Sequence, residues 1–253
     1  MNGEPQLERD VNGDDRTSAH SASWQSAFPR AVIMSGVVWV ALEVTALLIG
    51  LLVVGRHGGG PIRTWDGTVE QWSVTHRWSL VAVSKVVAVV GDALLLGVIV
   101  VVLTGLLLLL GQRMRAFTPL VAYVGGEALV FVTRVVIVRH RPPTANFPAP
   151  HAIPGVHETS YSYPSGHATA AVAVLVSLAA LAVMTWPRAW GWILALVLAL
   201  GAIFVAGTRL VLGVHWFSDV AFGIVFGVAW GVTAAFVLHD LPWPFRLGDS
   251  LTP

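Results

Sequence analysis

Cysteine is absent from the chain. That excludes disulfides, a thiol nucleophile and cysteine-ligated metals, and it leaves the redox compartment open. Charge is the second scarcity: 11% of the 253 residues are Asp, Glu, Lys or Arg, against roughly 25% in soluble domains. The charge present is nearly balanced, at a formal +1, so nothing points to a nucleic-acid partner. Apolar residues, by contrast, make up 55% and fall in long runs. The chain reads as an all-α, polytopic membrane protein with lipid as its solvent.

Residues 1–30 are polar, without apolar periodicity, and are expected to form a disordered cytoplasmic tail. The first apolar run starts too late and is too long for a secretory signal. That run, Val32 to Val54, would span about 34 Å as a helix, enough to cross a bilayer. Trp65, Trp72 and Trp78 then alternate with charged residues, a pattern for amphipathic helices at the bilayer surface over 62–90; an ordinary loop with an early-starting second span fits nearly as well. Further spans are expected at Ala93–Gly111, Phe117–Val138, Gly166–Thr185, Trp190–Gly207 and His215–Leu238. Six spans make one domain over 31–240, followed by a short C-terminal tail at 241–253, with both termini on one side. Arg113, Arg115 and Arg188 in two short turns favour the cytoplasm for that side. The polar clusters then lie at the other, extracytoplasmic membrane face, in the cell membrane.

The chain is organised around TRLVLGVHWFSD, Thr208 to Asp219. If the chain is helical from Val214, His215 and Asp219 are four apart and share a face. The carboxylate would then fix the tautomer of the imidazole and leave its other nitrogen as a free lone pair, ready to act as base or nucleophile. Arg209 adds a planar charged fork suited to phosphate. Charge this close to a bilayer is costly, and a cluster of it points to function.

Two more polar groups follow the same logic. Arg134 and Arg141 are seven apart, and on one helix face would lie about 10 Å from each other along the axis; arginines snorkelling to headgroups are the even alternative. Pro142 disfavours helix at Arg141 and starts a long loop through Tyr163. The loop ends in YPSGHATA. Ser165 and Gly166 at a helix start offer backbone N–H groups and a hydroxyl to an anion, with His167 in the first turn beside it. Glu43 and Glu127 lie in or beside spans, where an interhelical pair or a proton path is the alternative to a plain structural role, and Gly223, Gly227 and Gly231 at four-residue spacing suit close helix packing and need no catalytic role.

R-x6-RP at Arg134 to Pro142, PSGH at Pro164 to His167 and TR-x5-H-x3-D at Thr208 to Asp219, in that order, resemble the type 2 phosphatidic acid phosphatase (PAP2) superfamily of membrane lipid phosphatases. The family pattern has lysine where Arg134 stands and serine where Thr208 stands. The resemblance implies that His215 attacks phosphorus to form a phosphohistidine, with Asp219 holding its ring. It implies that His167 protonates the leaving oxygen and then activates water. Arg134, Arg141, Arg209, Ser165 and the Gly166 amide would stabilise the phosphoryl oxygens, the arginines standing where other phosphatases place metal ions. No cofactor or metal is expected.

Three functions are compatible with these residues: a metal-independent hydrolase of lipid phosphates or pyrophosphates, a lipid phosphotransferase with the same chemistry, and a transporter that binds phosphorylated lipids. For the first, an undecaprenyl pyrophosphate, phosphatidic acid or phosphatidylglycerol phosphate are candidate substrates.

Overall fold

The computed structural model describes the backbone of residues 8–239 and 241, with side chains from residue 27 onward. Eight α-helices and short 3-10 and π turns make up its regular structure: α1 Glu8–Ile49, α2 Arg63–His76, α3 Val81–Val90, α4 Ala93–Leu109, α5 Thr118–Val136, α6 Gly166–Thr185, α7 Arg188–Val211 and α8 Phe217–His239. The expected unstructured tail differs: the helix that carries the first span runs back to Glu8. The C-terminal tail beyond Leu241 lies outside the described residues.

Five helices are long and apolar enough to cross a membrane on their own. The sixth candidate is a pair, the segment Trp78–Val90 and α4, which pass the same test only together and are joined at a 60° bend, as in a broken span or a re-entrant loop. The break has a local cause. Asp92 is extended and caps α4, its carboxylate accepting the N–H of Leu94 at 3.0 Å, so the chain leaves α3 and restarts in a new direction. The segments α2 and α3 occupy the stretch expected to hold surface helices, and Trp65, Trp72 and Trp78 are exposed along it, as indole rings at a bilayer interface would be.

Helix α6 is the axis of the bundle, the most buried of the spans, and it packs against α5, α7 and α8. Its inner surface is built from small residues, including Ala168, Ala170, Ala173 and Thr169. The glycines of α8 let that helix lie directly on it. A Cβ at Gly227 would stand 2.7 Å from the Thr169 carbonyl, and one at Gly231 would stand 2.4 Å from that of Ala173. Between lipid-solvated helices, small residues that let backbones approach this closely favour association through van der Waals packing. Helix α1 is tied to α5 by the Thr133 hydroxyl, which donates to Glu43 at 2.9 Å.

The C-termini of α5 and α7 and the N-termini of α6 and α8 meet at one end of this bundle. The loop 137–165 and the α2–α3 segment close over that end. The arginine-bearing turns at Arg113–Phe117 and Arg188 lie at the other.

Candidate active site

His215 is placed by a helix ending, not by a helix. Gly213 adopts φ 69°, donates its N–H to Leu210, and Val214 donates to Arg209, the double bond pattern that stops a helix at a left-handed glycine. A Cβ there would meet Arg77 and Thr144 at 2.6 Å, so only glycine fits. The turn delivers His215 into the site ahead of α8, which begins at Phe217. The expectation that His215 and Asp219 share a helical face is therefore corrected. They nevertheless meet, with Nδ1 3.5 Å from the Asp219 carboxylate, because Asp219 in the first turn folds back to accept the N–H of Trp216 at 3.0 Å.

The other face of the ring meets Arg141, whose Nη1 donates to Nε2 at 3.0 Å. A guanidinium has only donors. Nε2 must therefore carry the lone pair, and the neutral ring holds its proton on Nδ1, toward Asp219. That is the tautomer a nitrogen nucleophile needs. Burial first, then the positive charges of Arg141, Arg209 and Arg134, push the His215 pKa well below its ordinary value, so the ring is neutral at physiological pH. The Asp219 carboxylate beside Nδ1 is itself held by a second partner.

That partner is Arg139. It is almost wholly buried, and its Nη1 donates to Asp219 at 2.6 Å and to the Ser218 hydroxyl at 2.8 Å. Its Nη2 pairs with Asp66 of α2 at 2.5 Å. In the sequence, Arg139 is one more basic residue in the RHRPP stretch and Asp66 one charge among surface tryptophans. No local pattern joins residues so far apart.

The expected phosphate ligands converge, though not as a helix face. Helix α5 ends at Val136, so Arg134 and Arg141 are not seven residues apart on one helix; the extended segment between them brings both to the Ser160 hydroxyl, at 3.4 and 2.9 Å. Arg134 also donates to the Pro164 carbonyl from Nε and Nη2, which orients it along the PSGH turn. Ser165 caps α6, its Oγ facing the Ala168 N–H at 3.4 Å, and Gly166 follows within reach of the Arg134 guanidinium. The Thr208 hydroxyl is spent on its own helix, donating to Val205 at 2.6 Å.

Glu158 from the long loop occupies the centre of this cradle. Arg209 donates to it at 2.6 Å, and Arg141 lies 3.3 Å from its other oxygen. A carboxylate thus holds the arginines where a phosphoryl group would bind. It also separates two cavities, one of about 870 Å³ and one of about 490 Å³. The larger is lined by Arg134, Arg141 and Ser160 and also by Phe131 and Val135, two apolar side chains of α5 that are exposed. The smaller contains His167, Arg209, Lys85 and Asp92. The Nε2 of His167 is 3.0 Å from the Ala88 carbonyl, which only accepts, so Nε2 holds a proton and Nδ1 is the atom free to exchange one. The surface helix α3 thereby sets the tautomer of a site histidine.

The model of the PAP2 superfamily matches residues 115–243. Among curated proteins, the undecaprenyl-diphosphatase of Sulfolobus acidocaldarius is 34% identical over 123 residues, which cover 48% of this chain and 55% of that protein. The match thus spans about half the length of that relative. Among solved structures, the transmembrane PAP2-type phosphatidylglycerolphosphate phosphatase from Bacillus subtilis superposes with a TM-score of 0.59 at 24% identity, covering 79% of this chain and 94% of that one. The likeness is one of fold.

Proposed function

Since the chain belongs to the PAP2 superfamily, and is a multi-pass membrane protein, we propose that it is a lipid phosphate or pyrophosphate phosphatase acting through a phosphohistidine. The observation that carries this reading is the placement of the His215 ring: Nδ1 lies 3.5 Å from the Asp219 carboxylate, while Nε2, the unprotonated nitrogen, accepts from Arg141 at the edge of the arginine cradle. Nε2 attacks phosphorus, the bond to the leaving oxygen breaks, and His167 supplies the proton that oxygen needs. His167 then takes a proton from water, whose oxygen attacks the phosphorus, and phosphate leaves with His215 restored. Arg141, Arg209 and Arg134, with the start of α6, face the charge that develops on the phosphoryl oxygens.

The apolar wall of the larger cavity favours a lipid reaching the cradle sideways from the membrane. The sequence relative makes undecaprenyl pyrophosphate the first substrate to try, and the structural neighbour makes phosphatidylglycerol phosphate the second. The site lies opposite the arginine-bearing turns, which supports an extracytoplasmic active site in the cell membrane.

The test is a panel of lipid phosphates and pyrophosphates given to purified protein in detergent, with His215→Ala as the blank. Release of inorganic phosphate, together with an acid-labile, base-stable phosphoprotein absent from the blank, is the expected result. Transfer of the phosphoryl group to a second lipid or sugar instead identifies a phosphotransferase, and phosphate-lipid binding unaffected by His215→Ala, without turnover, identifies a carrier.

A further inference from the structure

The pair formed by Arg139 and Asp66 is not explained by binding a phosphoryl group. Both terminal nitrogens of Arg139 are taken up within the protein: one is on Asp219 and Ser218, the other on Asp66, and its plane lies over Trp216 at 5.4 Å. Asp66 in turn accepts the backbone N–H of Ser218 at 2.8 Å and its hydroxyl at 2.8 Å. These are the first residues of α8, so Asp66 caps from another helix the very turn that holds Asp219.

We propose that Asp66 and Arg139 are positioning residues that brace Asp219 behind His215 and set how much negative charge it offers the ring. The inference rests on the reading of His215 as the nucleophile. When Nε2 bonds to phosphorus, the ring keeps its Nδ1 proton and becomes positive, and the facing carboxylate must balance it. Arg139 alone, at 2.6 Å from Asp219, would cancel that carboxylate in a site already crowded with guanidinium groups. Asp66 on the far side neutralises Arg139. The row of two carboxylates about one guanidinium therefore keeps a net negative charge and directs it at Nδ1, while the bonds to Ser218 and Trp216 hold the geometry. A surface helix thus takes part in the chemistry through three side chains.

A purely structural ion pair that pins α2 to α8 is the competing account, and a thermodynamic cycle separates the two. The variants are Asp66→Asn, Asp219→Asn and their combination, each compared with the unaltered protein at matched folded fraction in detergent. The readouts are the rate of phosphoprotein formation, KM and the pH profile. With the brace, Asp66→Asn slows phosphoprotein formation about 10- to 100-fold, the range typical of residues that support a reacting group. It leaves KM within about twofold, moves the acid limb of the pH profile, and adds little once Asp219 is Asn. Arg139→Lys in the same cycle gives the same coupling and takes the place of Asp66→Asn if that variant does not assemble. Full additivity with Asp219→Asn, or an unchanged rate and pH profile in folded Asp66→Asn, overturns the brace alone. Absence of a His215-dependent phosphoprotein in the unaltered protein overturns the nucleophile reading, and the brace with it.

Discussion

At the scale of single residues, the two site histidines carry opposite protonation requirements. In the proposed phosphohistidine route, His215 is neutral when it attacks and His167 holds a proton to donate. In that route, removing His215 removes the nucleophile, whereas removing His167 burdens the departure of the leaving oxygen and then the activation of water. The rate of phosphoprotein formation in His167→Ala should thus fall about 10²–10⁴-fold on a lipid alkoxide or phosphate and much less on p-nitrophenyl phosphate, if that soluble ester reaches the site, because nitrophenolate leaves without help. His215→Ala should lose equally on both. Equal losses for both variants on both substrates would break this division of labour. The pH dependence follows from the buried, cation-surrounded ring of His215, whose pKa lies below its ordinary value. A lowered pKa means the ring stays neutral as pH falls through about 6.5, the usual histidine range, and is protonated only below it. The acid limb of kcat/KM that belongs to the nucleophile should accordingly fall below that range, and a limb at or above it would contradict the assignment. Glu158 makes the third test. It competes with a bound anion for Arg141 and Arg209, so Glu158→Gln should tighten inhibition by vanadate, a mimic of five-coordinate phosphorus, about three- to tenfold. Weaker inhibition would mean that the carboxylate positions the arginines for substrate.

At the scale of the elements, the decisive contact is α8 on α6. Gly227→Leu would force a side chain against the Thr169 carbonyl and Val172, and overpacking of this kind typically costs about 1–3 kcal/mol. A lower melting temperature in detergent, with loss of activity because α8 carries Asp219, is the expected outcome. Gly207→Ala on α7, where nothing lies within 4 Å, should melt with the unaltered protein. The glycine spacing on α8 announces this packing in the sequence, because period-four small residues have few other uses in a membrane. The break between α3 and α4 is not announced in the same way: Asp92 reads as a favourable charge at a helix start, and only the structure turns α3 by 60° so that its Ala88 carbonyl reaches His167.

At the scale of the whole molecule, the absence of cysteine becomes an experimental advantage, since any cysteine introduced is unique. With the site outside, Phe147→Cys in the exposed loop should react with an impermeant maleimide on intact cells, and Trp186→Cys at the opposite end should react only after permeabilisation. The reverse pattern would invert the topology. What the sequence determined by itself is what is local or periodic. Long apolar runs set the spans, and three short motifs single out His167, His215, Asp219, Ser165, Gly166, Arg134, Arg141 and Arg209 as candidates, because each motif places its polar side chains within a few residues of one another. The tertiary structure decided what joins distant segments. Asp66 reaches Arg139 and Ser218 across 73 and 152 residues, Glu158 enters the arginine cradle from a loop without periodicity, and His215 meets Asp219 through the Gly213 turn and not along a helix. Charge pairs of this kind are selected by the three-dimensional closeness of low-dielectric surroundings, where an unpaired charge is costly, and that closeness has no signature in sequence spacing.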